Sequence, residues 1–391
     1  MKILFYDDAP DFGGHELQTM AAVRHIAAHP NVEVGFIYFR GNERLAKLIA
    51  EVAGLRPNFK AMPQNYASLK FQVFRTLLSR REIKQISAAM MAYAPDVVVI
   101  AQGAIAFCSA GLLAAKKANL PTVSYIPMTH PERLFSASSI RAALREPVNH
   151  FYYRQPDEYI TIGPRMVDYL RQRGLRQVAT VVQPAVELSD FHFIDKLEAR
   201  ASLGLTAGDK VFALIGRVQF WQKRQDLAVD ALALARQKVP NLKLLIVGDG
   251  PDLNALKALT RDRGLDDAVV FVGWTEGLSA VYCAIDALVI PSRYEGLPLV
   301  LLQGMYFQLP VIASAVDGMA DLLPPQWLFP TGDASAFAAR LVEASSAKDK
   351  ELLAANHELV VREFSLAVFE RAFMQAVVAA ASRLQPGRAA L

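Results

Sequence analysis

Four side chains in the second half of the sequence have the types and spacing that suit phosphate and sugar chemistry: Arg217, Lys223, Glu295 and Gln303. Gly216 and Arg217 close the apolar run Val211–Ile215, and Lys223 follows six residues later. Two cations beside a strand end can clamp a diphosphate, Arg as a planar fork and Lys as a point charge. Charge on such a leaving group grows in the transition state, so the same cations would assist catalysis. The run PSRYEGLPLVLLQGMYFQLPVIAS, residues 291–314, follows the apolar stretch Ala287–Ile290. Within it Glu295 precedes Gly296, and Pro298 stands where a helix can begin. The amides of Gly296, Leu297 and Leu299 would point out of that helix start, which suits a phosphate or sugar oxygen. Gln303, one or two turns on, could reach the same ligand. In VGDGP, residues 247–251, Gly250 allows the backbone to approach a ligand closely at a tight turn.

Taken singly, each feature has a plain structural reading. A Gly-Asp-Gly turn is usually only a turn. Exposed Arg and Lys are usually solvated charges, and Glu295 could simply favour the helix after it. Together and in this order they are hard to explain as structure alone, because each follows an apolar run that reads as a strand. Lys2–Tyr6, Val32–Phe39, Asp96–Ile100 and Thr122–Ile126 form one series of such runs. Val211–Ile215, Lys243–Val247, Val269–Val272, Ala287–Ile290 and Val311–Ala313 form a second. The runs are apolar throughout, as in parallel sheets covered on both faces. Strand–helix alternation predicts an α/β protein with two Rossmann-like doubly wound domains. A chain of 391 residues, 53% hydrophobic, is long enough for two cores. Ligand crevices in such sheets lie at the carboxyl ends of the strands, so the expected active site is a cleft where those ends face each other.

Residues 210–375 resemble the C-terminal domain of the retaining glycosyltransferases of family 4, glycosyl transferases group 1, which have the GT-B fold. The resemblance is carried by GRVQFWQK, VGDGP, FVGW (271–274), PSRYEGLPLVLLQ and VIASAVDGMADLL (311–323), in that order. The opening strand, DFGGHE (11–16) and APDVVV (94–99) extend it more loosely into the first half, and QPAVELSDF is similar to the family's linker, with Ala185 where Gly is common. The resemblance implies an N-terminal acceptor-side domain over 1–188 and a donor-side domain over 189–368. A C-terminal helix and tail over 369–391 would pack back toward the first domain. It implies that Arg217 and Lys223 hold the diphosphate of a nucleoside-diphosphate sugar, and that Glu295 binds sugar hydroxyls with the amides of Gly296–Leu299. Gly14 would let the first loop approach the donor, and Gly250 and Trp274 would border the base. It further implies a metal-independent hexosyl transfer with retention to a saccharide or lipid-linked saccharide, as in cell-surface polysaccharide or glycoconjugate synthesis. The family pattern has Glu at the position of Gln303, where it receives the ribose hydroxyls. An amide keeps hydrogen bonding there but loses charge assistance. The competing readings are a nucleotide-sugar epimerase or phosphorylase of the same fold, and a non-catalytic donor-binding or scaffolding subunit.

The first half offers fewer anchors. His130, in SYIPMTHP, is the candidate for contact with the transferred sugar near the reacting carbon; a loop His with an ordinary hydrogen bond is the alternative, and His15 is its rival. Asp7, Asp8 and Asp11 form no recognised ligand set, and with two cations for the diphosphate no metal or other cofactor is expected. Cys108 and Cys283 read as buried free thiols. The first 190 residues carry 22 Lys and Arg against 16 Asp and Glu, whereas the remainder carries 20 against 22. Within residues 56–86, Phe71, Phe74, Leu77 and Leu78 interleave with Lys70, Arg75, Arg80 and Arg81. This pattern reads either as a basic amphipathic helix for an anionic membrane surface, through residues 68–86, or as a domain helix with its apolar face in the core. No nucleic-acid recognition motif accompanies the charge. The chain shows no apolar run of spanning length and no signal-peptide pattern, so a cytoplasmic protein, peripheral on the inner membrane face, is expected.

Overall fold

Apolar runs bounded by turn residues become the strands of two all-parallel sheets. The first comprises β1 (Lys2–Asp7), β2 (Glu33–Phe39), β3 (Phe59–Gln64), β4 (Val97–Ala101), β5 (Thr122–Tyr125), β6 (Glu158–Thr161) and β7 (Val178–Val181). Their order is β3-β2-β1-β4-β5-β6-β7. The second comprises β8 (Lys210–Ile215), β9 (Leu242–Val247), β10 (Val269–Gly273), β11 (Ala287–Ile290), β12 (Val311–Ser314) and β13 (Leu328–Phe329), in the order β10-β9-β8-β11-β12-β13. This computed structural model describes residues 1–69, 71–135, 138–275, 277–346 and 349–385. The chain forms two units, Met1–Ala185 with the C-terminal stretch from Leu366, and Val186–Ser365.

The central strands are buried along their whole length because helices cover both faces. Val97, Val98, Val99, Ile100 and Ala101 of β4 and Ala287, Leu288, Val289 and Ile290 of β11 are all buried. The strand order of each sheet reverses once. In the first unit β1 pairs with β2 on one side, Lys2 opposite Glu33, and with β4 on the other, Ile3 opposite Val97. In the second, β8 pairs with β9 and β11, Lys210 opposite Leu242 and Phe212 opposite Ala287. At such a reversal the connecting segments leave the two neighbouring strands toward opposite faces, which opens a crevice at their carboxyl ends.

The C-terminal helix Leu366–Leu384 belongs to the first unit. It packs on the helix Gly14–Ala27, and its Phe373 ring meets the Tyr125 ring edge-on at 5.1 Å. Arg383 grips Glu158 of β6 with two N–H groups, at 2.8 and 2.6 Å. Ala185, at the junction, exchanges two hydrogen bonds with the side-chain amide of Gln18, at 2.8 and 2.9 Å.

The segment 56–86 is not one helix. It contains the edge strand β3, whose Pro63 is tolerated because only one side of an edge strand is paired. Two helices follow, Gln72–Leu78 and Arg80–Tyr93, separated at Ser79. Phe71 sits in the left-handed region with φ 62°, which stops a helix from starting earlier. Lys70 lies outside the described residues. The reading in which Phe71, Phe74, Leu77 and Leu78 fill the core is overturned: all four are exposed, and Val73 and Thr76 turn inward instead.

A buried ionic node ties the start of the second unit to its sheet. Asp286, just before β11, accepts hydrogen bonds from Lys196 at 2.6 Å, Arg200 at 2.8 Å and the Val211 amide at 2.9 Å. Burial works against its charge, but the two cations and the amide outweigh it and hold the carboxyl below its ordinary range. Asp286→Asn would leave the buried Arg200 guanidinium without its counter-charge and should destabilise the second unit by about 3 kcal/mol. A carboxyl with a depressed folded-state pKa contributes above the ordinary Asp value of about 3.9 and loses that contribution as pH falls through the folded value. Urea unfolding at neutral pH should therefore separate the two proteins, and the gap should close in acid.

Candidate active site

In the second unit, Lys223 and Glu295 come from opposite sides of the sheet reversal and meet. Lys223 ends the short helix Phe220–Lys223 that follows β8, and Glu295 lies in the segment after β11. The Lys223 ammonium donates to Glu295 Oε1 at 2.5 Å. Three further contacts seat the helix on the segment. The Arg293 amide donates to the Gln222 carbonyl at 2.8 Å, the Gln222 side-chain amide approaches the Tyr294 carbonyl at 3.5 Å, and the Arg293 guanidinium stacks 4.0 Å over the Trp221 ring. The stem of Lys223 passes Gly216, where a Cβ would stand 3.8 Å from Lys223 Cε.

The main chain that carries Glu295 is fixed from behind. Asp317, at the start of the helix Asp317–Leu322 after β12, accepts the Glu295 amide at 2.9 Å. The Gly318 amide donates to the Gly296 carbonyl at 3.1 Å, and a side chain at Gly318 would press on that oxygen at 2.8 Å. Ser314 donates to the Ser292 carbonyl. Glu295 is buried, and Gly296, Leu297 and Leu299 are half-buried. Pro298 is the cap of the helix Leu299–Tyr306, whose first amides have no preceding turn to bond and are available to an anion. Gln303 is half-buried on that helix, and its Oε1 accepts the Tyr282 hydroxyl at 2.7 Å.

The ends of β8, β9 and β10 are drawn together by backbone hydrogen bonds. Gly216 donates to Val247, Gly248 to Gly273 and Val218 to Asp249, at 2.9, 2.7 and 2.9 Å. A Cβ on Gly250 would stand 2.2 Å from the Val218 carbonyl oxygen, so only glycine fits this turn. Arg217 and Trp274 are exposed at the ends of β8 and β10. Arg217, Lys223, Gly250, Trp274, Glu295–Leu299 and Gln303 thus all follow strands at one edge of the same sheet.

The first unit places its candidates differently. Gly14 begins the helix after β1 and is exposed, with open space where a Cβ would be. His130, after β5, is only 1% exposed, with its ring packed against Phe135 and Tyr169 at 5.9 and 5.1 Å. Asp7, Asp8 and Asp11 do not converge: Asp11 is exposed, whereas Asp8 is buried and accepts from Tyr6, Ser68 and the Cys108 amide. Cys108 is buried and Cys283 half-buried, both free.

A second cluster, which spacing did not single out, forms from Asp7, His15 and Glu16. Burial pushes the Asp7 carboxyl well up, and the nearby Glu16 adds to the shift. Burial raises Glu16 to about 7 and lowers His15 to about 4. Asp7 ends β1 and His15 and Glu16 open the helix that follows it, so the loop of residues 8–13 brings the three together, and the pairing of β1 with β4 sets Gly103 beside them.

Across their whole length the two units match solved proteins of one architecture. The structure of Anabaena Alr3699/HepE in complex with UDP superposes with a TM-score of 0.77 at 18% identity, covering 97% of this chain and 100% of that one. The fold is GT-B. Residues 209–346 carry a domain that matches the family model Glycosyl transferases group 1. A D-inositol 3-phosphate glycosyltransferase of Mycobacteroides abscessus is 37% identical over 147 residues, 36% of this chain and 32% of that protein. A 2-deoxystreptamine N-acetyl-D-glucosaminyltransferase of Streptomyces fradiae is 30% identical over 266 residues, 62% of this chain and 61% of that protein. The first of these matches thus spans about a third of its relative's length, and the second about three-fifths.

Proposed function

We propose that this protein is a retaining glycosyltransferase that moves a hexosyl group from a nucleoside-diphosphate sugar to a saccharide or lipid-linked saccharide. The observation that carries the reading is the Lys223–Glu295 pair at the strand reversal of the domain that matches Glycosyl transferases group 1. An ammonium has three donors. With one given to Glu295, Lys223 keeps two for a diphosphate, and the exposed Arg217 adds a planar fork. Glu295 retains acceptor capacity for sugar hydroxyls, and the amides at the start of the helix Leu299–Tyr306 face the same ligand. The bond between the anomeric carbon and the β-phosphate oxygen breaks, and the acceptor hydroxyl oxygen forms the new bond on the same face. The hydroxyl proton passes to the departing phosphate, whose growing charge Lys223 and Arg217 stabilise. The two cations meet the diphosphate's charge without a metal. Gln303 faces the donor ribose, with Tyr282 orienting its amide.

The acceptor side falls to the first unit, where the exposed Phe71, Phe74, Leu77 and Leu78 stand among Arg75, Arg80 and Arg81. Apolar side chains interleaved with cations suit an anionic membrane surface, the place where a lipid-linked acceptor resides. No helix among the described residues is long and apolar enough to cross a membrane.

Lys223→Ala and Arg217→Ala should each weaken donor binding by about 1.5–3 kcal/mol, the scale of a charge-assisted hydrogen bond, and slow turnover without unfolding the protein. Calorimetry with nucleoside diphosphates and their sugars reads the affinity, and an added chelator should leave it unchanged. Normal affinity in both variants would remove the clamp.

Gln303→Glu should keep the Tyr282 hydrogen bond and tighten donor binding by about 1 kcal/mol through a charge-assisted contact to the ribose. Weaker binding would show that the position serves another part of the donor. No donor binding by either form would favour a scaffolding subunit.

Replacing Arg75, Arg80 and Arg81 by Gln should reduce sedimentation with phosphatidylglycerol vesicles while donor affinity holds. Vesicle binding that ignores these changes would detach the membrane from this surface.

A further inference from the structure

The first unit buries two carboxyls that no Lys or Arg faces among the described ion pairs. Asp7 and Glu16 are fully buried, and the described ion pairs bring neither of them a Lys or Arg; their only ionisable partner there is His15. Each has one oxygen in use. Asp7 Oδ1 accepts the Ala9 amide at 2.8 Å, and Glu16 Oε2 accepts the Gly13 amide at 2.7 Å. The other oxygens, Asp7 Oδ2 and Glu16 Oε1, are buried without a partner, and so is His15 Nε2. Orphaned buried polar atoms are costly singly, and three on adjacent side chains call for one common ligand.

The three groups already surround a small space. One ligand atom from each lies within 4.8 Å of the others, and His15 Nε2 is 3.9 Å from Asp7 Oδ2. A tetrahedral ion with bonds of about 2.1 Å holds its ligands about 3.4 Å apart, so modest side-chain rotation would close the set. His15 Nδ1 stands 3.0 Å from Glu16 Oε2, a placement that puts the Nδ1 proton toward the carboxylate and leaves the Nε2 lone pair to the ion. Gly103 leaves room for the ring, since a Cβ there would crowd it at 3.0 Å. The His15 side chain is 16% exposed, which provides a way in for an ion and a water ligand.

We propose that Asp7, His15 and Glu16 bind one divalent transition-metal ion, of the zinc or manganese kind, at the strand reversal of the first unit. One nitrogen and two carboxylate oxygens favour such ions over magnesium or calcium. The ion would pin the exposed Gly13–Gly14 turn to the end of β1. It lies in a different unit from the residues assigned to the diphosphate, and the proposed transfer routes no step through it.

The test is titration of the full chain, stripped with chelator, with zinc, manganese and cobalt salts. One equivalent should bind, cobalt should give the visible absorption of a low-coordinate site, and chelator should lower the melting temperature of the loaded protein. His15→Ala and Asp7→Asn should each weaken binding at least tenfold, whereas Asp11→Asn, at an exposed carboxylate, should not. Absence of saturable binding to the stripped wild-type chain would overturn the site and leave Asp7 and Glu16 to share a proton instead. Equal affinity in His15→Ala and Asp7→Asn would also overturn it, placing the ion elsewhere. Neither result depends on whether the chain transfers a sugar.

Discussion

A parallel sheet covered on both faces has no room for charge along its strands, so polar chemistry collects at strand ends. Strand order decides which end can hold a ligand. In each unit one strand, β1 or β8, has its sequence successors on one side and a later strand on the other. The segments leaving these neighbours diverge, and the gap between them is lined by whatever follows each strand. In the second unit that lining is Lys223 and Glu295. In the first it is Asp7 with His15 and Glu16, beside Gly103.

The two crevices resolve their charge in opposite ways. Lys223 and Glu295 neutralise each other, yet both keep hydrogen-bonding capacity to spare. Backbone amides and glycine contacts set the frame around them, because main chain offers donors at fixed positions without rotamer entropy. Asp7 and Glu16 have no such built-in partner.

Much of the fold of the second unit could be read from sequence because its strands are continuous apolar runs, and the candidate site residues follow them directly. Ala287–Ile290 matches β11 residue for residue, and Glu295 and Gln303 take their places from it. The strands that went unread are short or peripheral. β7 is only partly buried and so carries little hydrophobic signal, β3 contains a proline, β13 has two residues, and β6, though buried, has four residues with Glu158 and Thr161 at its ends. The helix expected across 56–86 misled because interleaved apolar and basic residues at helical spacing do not reveal a break at Ser79 or which face turns inward. The Asp7–His15–Glu16 cluster was invisible for a different reason. Its members lie within ten residues of one another, but the loop of residues 8–13 between them has no regular period, so spacing does not tell which side chains turn back to the end of β1.

The junctions between the units have a kinetic consequence. The chain leaves the first unit after Ala185 and returns at Leu366, and the Val186 amide bonds the Phe364 carbonyl at 2.9 Å, so the two crossings lie side by side. Residues 186–365 are thus a continuous insertion with adjacent ends, and can complete their core as soon as they leave the ribosome. The earlier-made first unit must wait. Its helix Leu366–Leu384, with Phe373 against Tyr125 and Arg383 on Glu158, is made only after the whole of residues 186–365. Until that helix arrives, the apolar surface it covers stands open, so the first unit can complete its core only after the second has been made.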